Sequence, residues 1–77
     1  MEKKTPRPLS KVSAGETVRL VSIDAGAGLN SRLTAMGLIP KVEIKVVQSG
    51  RPGPFVIRVK GSKMMLGRGV VHKILVI

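Results

Sequence analysis

The sequence predicts a mainly β protein, a small barrel of about five short strands with one short α-helix. Three observations carry that expectation. From Glu16 onward the apolar residues come in short runs rich in Val and Ile, several of them alternating with polar residues, as half-buried strands do. Gly and Pro punctuate those runs throughout, which marks turns between strands. One stretch alone, Leu29 to Met36, replaces the two-residue period with helical spacing.

In chain order, Glu16–Asp24 has the β-branched enrichment of a strand. Its apolar residues Val18, Leu20, Val21 and Ile23 slip out of strict alternation, so a bulge is expected near Val21. Leu29, Leu33 and Met36 then recur at helical spacing; Gly37 at the left-handed C-cap position and Pro40 beyond it stop the helix after Met36. Val42, Ile44 and Val46 form the inner face of a second strand whose outer face is Glu43, Lys45 and Val47. Gly50-Arg51-Pro52-Gly53-Pro54 connects it to a third, with Phe55, Ile57 and Val59 inward and Arg58 and Lys60 outward. Gly61-Ser62 turns the chain into Lys63–Leu66, Gly67-Arg68-Gly69 interrupts again, and Ile74 with Val76 gives the last strand. Five strands and one helix in so short a chain describe a strongly bent sheet closed into an SH3-like barrel.

A chain of 77 residues holds one modest core, which disfavours an enzyme-sized cavity. With no cysteine there is neither a disulfide nor a thiolate metal site, so stability must come from aliphatic packing. Residues 1–8 carry Lys3, Lys4 and Arg7 between prolines and are expected as a disordered basic tail, with one folded domain over 9–77. No apolar stretch follows the basic N-terminus, and the longest uncharged span, Leu33–Pro40, falls far short of the roughly 18 residues of a membrane helix. A soluble cytoplasmic protein is expected. Its net charge of +10 steers it toward an anionic partner: nucleic acid, an anionic membrane surface, or an acidic protein.

Arg32-Leu33-Thr34-Ala35-Met36-Gly37-Leu38-Ile39-Pro40 resembles the R-L-x-x-M-G-L-x-P signature of the FeoA family of ferrous iron transport accessory proteins. Leu9-x-x-Val12-x-x-Gly15, Gly53-Pro54 and the closing stretch Leu66 to Val76 extend the resemblance over residues 9–77. It departs from the family at Lys41, where many relatives carry Gly, and near Val70 and Val71, where many carry an acid. The resemblance implies an SH3-like barrel without catalysis of its own, which binds and modulates the FeoB-type membrane GTPase permease from the cytoplasmic side and lies peripheral to the membrane through that partner. It also implies an association with ferrous iron or another divalent transition metal, bound weakly if bound at all. The alternative reading is a basic nucleic-acid-binding SH3-like barrel.

The candidate partner-binding residues are Leu29, Arg32, Leu33 and Met36 on the helix, with Arg51, Arg58 and Arg68 from the basic surface. For the three apolar residues the competing role is the domain's own core, and for the arginines it is solubility. His72 is the single imidazole and hence the candidate metal ligand, as a lone donor or one shared across a dimer; the competing role is a surface histidine near the last strand. Gly26-Ala27-Gly28 lacks the third glycine of a dinucleotide fingerprint, since Ser31 stands there. No nucleophile-base-orienter set has a local signature. Phe55, the only aromatic residue, reads as core, which leaves no stacking platform for single-stranded nucleic acid. Val47, Val56 and Leu75 point outward as a small apolar patch compatible with a weak homodimer; a monomer is the default.

Overall fold

A computed structural model of the chain describes residues 5–50 and 53–77. Six strands form one antiparallel sheet: β1 (Arg7–Pro8), β2 (Thr17–Ile23), β3 (Glu43–Ser49), β4 (Phe55–Val59), β5 (Ser62–Leu66) and β6 (Ile74–Val76), in the order β1-β6-β2-β3-β4-β5. Between them lie a 3-10 turn at Leu9–Lys11, the helix α1 (Ala27–Ala35) and a single helical turn, α2 (Arg68–Val71).

The sheet bends because β2 serves both halves. Thr17–Arg19 pair with β3, whereas Leu20–Ile23 pair with β6, and the register shifts between Leu20 and Ser22. Val21 is thus the bulge that its broken alternation predicts, and a bulge sharpens the local twist that turns one half of the sheet over the other. A second bulge interrupts β3 between Val46 and Gln48. Inside the bend, Leu9, Leu38, Ile44, Val46, Ile57, Ile74 and Val76 are fully buried, with Phe55 beside them. No charged or polar residue is buried among the described residues.

α1 ends on paired hydrogen bonds that require a glycine. The Leu38 N–H donates to the Leu33 carbonyl and the Gly37 N–H to that of Thr34, with Gly37 at φ +103°. Leu33 and Leu38, the two residues that bracket this cap, are both buried, the hydrophobic contact that accompanies a Schellman ending. The cap therefore fixes the helix to the core at its C-terminal end.

Four features depart from the sequence expectation. Within the segment 1–8 expected as a disordered tail, Arg7 and Pro8 form β1, paired with Val76 and Leu75; proline is tolerated there because β1 is an edge strand. Residues 1–4 lie outside the described residues. α2 adds a second helical element that its two glycines hid. The β4–β5 turn is Lys60-Gly61, one residue earlier than expected, with both residues at positive φ (51° and 84°), as a two-residue type I′ hairpin demands.

The fourth is Lys41, at φ +75°. Its N–H donates to the Leu20 carbonyl at 2.7 Å and its carbonyl accepts from Arg19 at 3.3 Å, so the backbone is held in the left-handed region. That region costs a side-chain-bearing residue roughly 1–2 kcal/mol, partly offset by the greater entropy glycine loses on folding, about 0.5–1 kcal/mol. Lys41→Gly is therefore expected to stabilise the protein by about 0.5–1 kcal/mol, read as a higher midpoint in thermal unfolding.

The chain enters β2 through a turn closed by Glu16. Its N–H donates to the Ser13 carbonyl at 3.1 Å, its carboxylate accepts the Ser13 N–H at 2.8 Å, and Arg7 of β1 pairs with it at 3.2 Å. The Ser13 N–H, and after it the Arg7 guanidinium, hold the Glu16 carboxyl below its ordinary value near 4.5. A carboxyl with a depressed folded-state pKa adds stability that is present above the unfolded-state value and lost as pH falls through the folded one. The stability gap between wild type and Glu16→Gln is expected to close as pH falls below about 4.5, a small effect at this exposed site that paired melting curves across pH would resolve.

Candidate partner-docking groove

The predicted site residues fall in three separate places. On α1, Leu33 is buried in the core and Leu29 is half-buried against it; Leu33 is thereby excluded from partner contact, because the Schellman cap turns it inward. Arg32 and Met36 are exposed on the same helix, and Met36 is 49% exposed. Arg58 stands on the outer face of β4. Arg51 lies outside the described residues. Val47 is exposed, while Val56 and Leu75 are half-buried.

Arg68 and His72 come together. They lie at the two ends of α2 and line an open groove of about 640 Å³ across one end of the barrel. It is also lined by Pro8, Ser10 and Lys11 from β1 and the 3-10 turn, by Ser49 at the end of β3 with Gly50, Gly53 and Pro54 from the β3–β4 connection, and by Phe55 and Leu66, whose near-complete burial makes them its floor. The groove is thus partly apolar at its base and basic at its rim, with Lys11, Arg68 and His72 and, among the described residues, no carboxylate in its lining. Such a site suits an extended, acidic segment of another protein, whose backbone and prolines or aliphatics rest on the floor while its carboxylates meet the rim.

Sequence reading missed one pairing in this groove. The Ser10 hydroxyl and His72 Nδ1 are 3.0 Å apart, although the residues are 62 positions apart in the chain. No local spacing signals such a pair. A serine–imidazole contact invites a catalytic interpretation, yet an activated serine needs a third group that orients the base. Glu16, Asp24 and Glu43, the carboxylates among the described residues, are absent from the groove lining. The contact joins the 3-10 turn to the end of α2.

As a metal centre the donor set does not fit. His72 engages Ser10 through Nδ1, and among the described residues no three His, Cys, Asp or Glu side chains are placed to hold an ion, fewer than a transition-metal site needs from one chain. Among the described residues no helix is long and apolar enough to cross a membrane.

Comparison with known proteins adds the family. The model of the FeoA domain matches residues 7–77, which takes in β1 as well as the barrel. A Methanocaldococcus jannaschii protein named "Putative Fe(2+) transport protein A" is 41% identical over 69 residues, covering 90% of this chain and 83% of that protein. Among solved structures, the crystal structure of an iron uptake regulatory protein, FeoA, superposes with a TM-score of 0.84 at 31% identity, covering 96% of this chain and 97% of the other. Stenotrophomonas maltophilia FeoA, a prokaryotic SH3 domain protein solved with zinc, gives 0.79 at 18% identity over 96% and 91%, which is a likeness of fold: the mainly β architecture is the SH3-like one.

Proposed function

The chain belongs to the FeoA domain family, and from that premise we propose that it is a non-enzymatic cytoplasmic accessory of ferrous iron uptake, docking on an FeoB-type membrane GTPase through the groove between the 3-10 turn and α2. The observation that carries this reading is the groove itself: the cationic Lys11 and Arg68, with His72, line it together with buried Phe55 and Leu66, and no carboxylate lines it among the described residues. Ferrous iron is the cargo of the system rather than a resident ion of this chain, in keeping with a donor set that lacks a three-ligand cluster among the described residues. The protein modulates the GTPase by contact, and it lies peripheral to the membrane through that partner. Arg32 and Met36 on α1 give a second, smaller contact on the same reading.

The nucleic-acid alternative is disfavoured. The one aromatic side chain, Phe55, is 5% exposed, so no ring is offered for base stacking, and α1 has nine residues, only one of them basic, a poor reader of a duplex groove. The test is capture of the purified cytoplasmic GTPase portion of an FeoB-type transporter by this protein, at low and high salt, with random RNA as competitor. Capture that RNA does not displace supports the docking reading. Retention of RNA with no capture of the GTPase portion would overturn it.

A further inference from the structure

The outer face of β3–β4–β5 carries an arrangement that no docking role yet uses. Lys45 lies directly opposite Arg58, and Arg58 directly opposite Lys63, so three exposed cations form one row across three strands. Adjacent strands are about 4.8 Å apart, and like charges placed directly opposite one another destabilise a sheet. None of the three has an ion pair or side-chain hydrogen bond among the described residues. The one acid on this face among the described residues, Glu43, sits beyond the row and pairs with Arg19 of β2 at 4.0 Å. One step further along the same face Val56 is directly opposite Met65 on β5 and Gln48 on β3, and Val47 stands beside Gln48 in the β3 bulge, so this second row is apolar but for one glutamine. Met65 is 70% exposed and Val47 38% exposed.

We infer that this face is a lipid-contact surface, which rests on the anionic headgroups of a membrane while Met65 and the two valines reach the headgroup–acyl boundary. Three features favour that occupant. The cations stand on separate strands as a line of exposed points rather than around one concave site, which matches a diffuse, deformable sheet of charge better than a single carboxylate. The apolar row runs parallel to the cationic one, so both terms of interfacial binding, electrostatic and apolar, act in one plane. Against RNA, an exposed Met and valines have nothing to contribute to phosphates, and the chain's only ring is buried. The unrelieved repulsion along Lys45–Arg58–Lys63 is then relieved by the surface it binds.

The inference is independent of the docking groove and is tested without any transporter. The 77-residue chain is sedimented with vesicles of phosphatidylglycerol and phosphatidylcholine in equal parts, and with phosphatidylcholine alone, across a salt series. Binding to the anionic vesicles, weakening with salt, is expected. Arg58→Glu places a carboxylate between Lys45 and Lys63, so its melting temperature should rise while vesicle affinity falls roughly 10–30-fold. Met65→Ser should weaken binding roughly fivefold with an unchanged salt slope. Arg32→Glu, the same charge change on α1, should cost much less and controls for net charge. The proposal is overturned if anionic vesicles bind no better than neutral ones, or if Arg58→Glu and Arg32→Glu weaken binding equally. It is likewise overturned if RNA or the GTPase portion, but not lipid, is held through Arg58.

Discussion

Replacing Ile57 with alanine is expected to destabilise the protein by about 2–5 kcal/mol. Ile57 is completely buried at the middle of β4, between Val46 on β3 and Met64 on β5. Removing three carbons there forfeits both their transfer free energy and the packing of the atoms that lined them, since a β-sheet core relaxes only partly into the void. The loss is large against the whole: a domain of this length has about 4–12 kcal/mol of total stability, and no disulfide supplements it. Half-buried Met64, with its flexible thioether chain, is the neighbour best able to fill the space, which places the expected value toward the lower half of the range. Circular dichroism against temperature is the readout, with a midpoint lower by on the order of 10–20 °C; Val47→Ala, on the exposed bulge, should move it little.

The second large effect is on docking. Lys11→Glu combined with Arg68→Glu is expected to weaken binding of the GTPase portion roughly 10–100-fold at low salt, and by less as salt rises. Both side chains are exposed and neither is in an ion pair among the described residues. Their reversal therefore leaves no group unsatisfied, and the melting temperature should hold within the range of ordinary surface substitutions. Loss of affinity with stability unchanged separates a binding role from a structural one, and titration calorimetry of the variant against wild type reads it directly. Equal affinities would move the contact away from this groove.

Most of the fold was legible because its signals are local. The bulge at Val21 showed as a break in alternation, the inner faces of β3 and β4 as clean two-residue periods, and the end of α1 as Gly37 after Met36. The β4–β5 turn was displaced by one residue because Lys60-Gly61 carries a lysine where asparagine or aspartate would have announced a type I′ turn. β1 escaped because a two-residue edge strand containing proline has no pattern of its own; its evidence is its partner, β6, at the other end of the chain. α2 escaped for a similar reason: Arg68-Gly69-Val70-Val71 has poor helical propensity and is held by packing, with Val71 buried. The site was less legible than the fold. Arg68 and His72 could be named singly, but the groove they share with Ser10 and Lys11 depends on the chain returning to its own beginning. The cationic row of Lys45, Arg58 and Lys63 likewise exists only through strand register. Leu33, which helical spacing alone could have placed on either face, went to the core because the cap beyond it buries Leu38.

The most direct test of the central claim is a map of the contact on this protein itself. Isotopically labelled protein, titrated with the unlabelled cytoplasmic GTPase portion and followed by amide NMR, should show shifts concentrated at Ser10, Lys11, Phe55, Gly67, Arg68 and His72, the lining of one groove. A smaller response at Arg32 and Met36 fits the second contact on α1. Shifts spread along β3–β5 with the groove silent, or no shifts at all at saturating partner, would contradict docking through this end of the barrel.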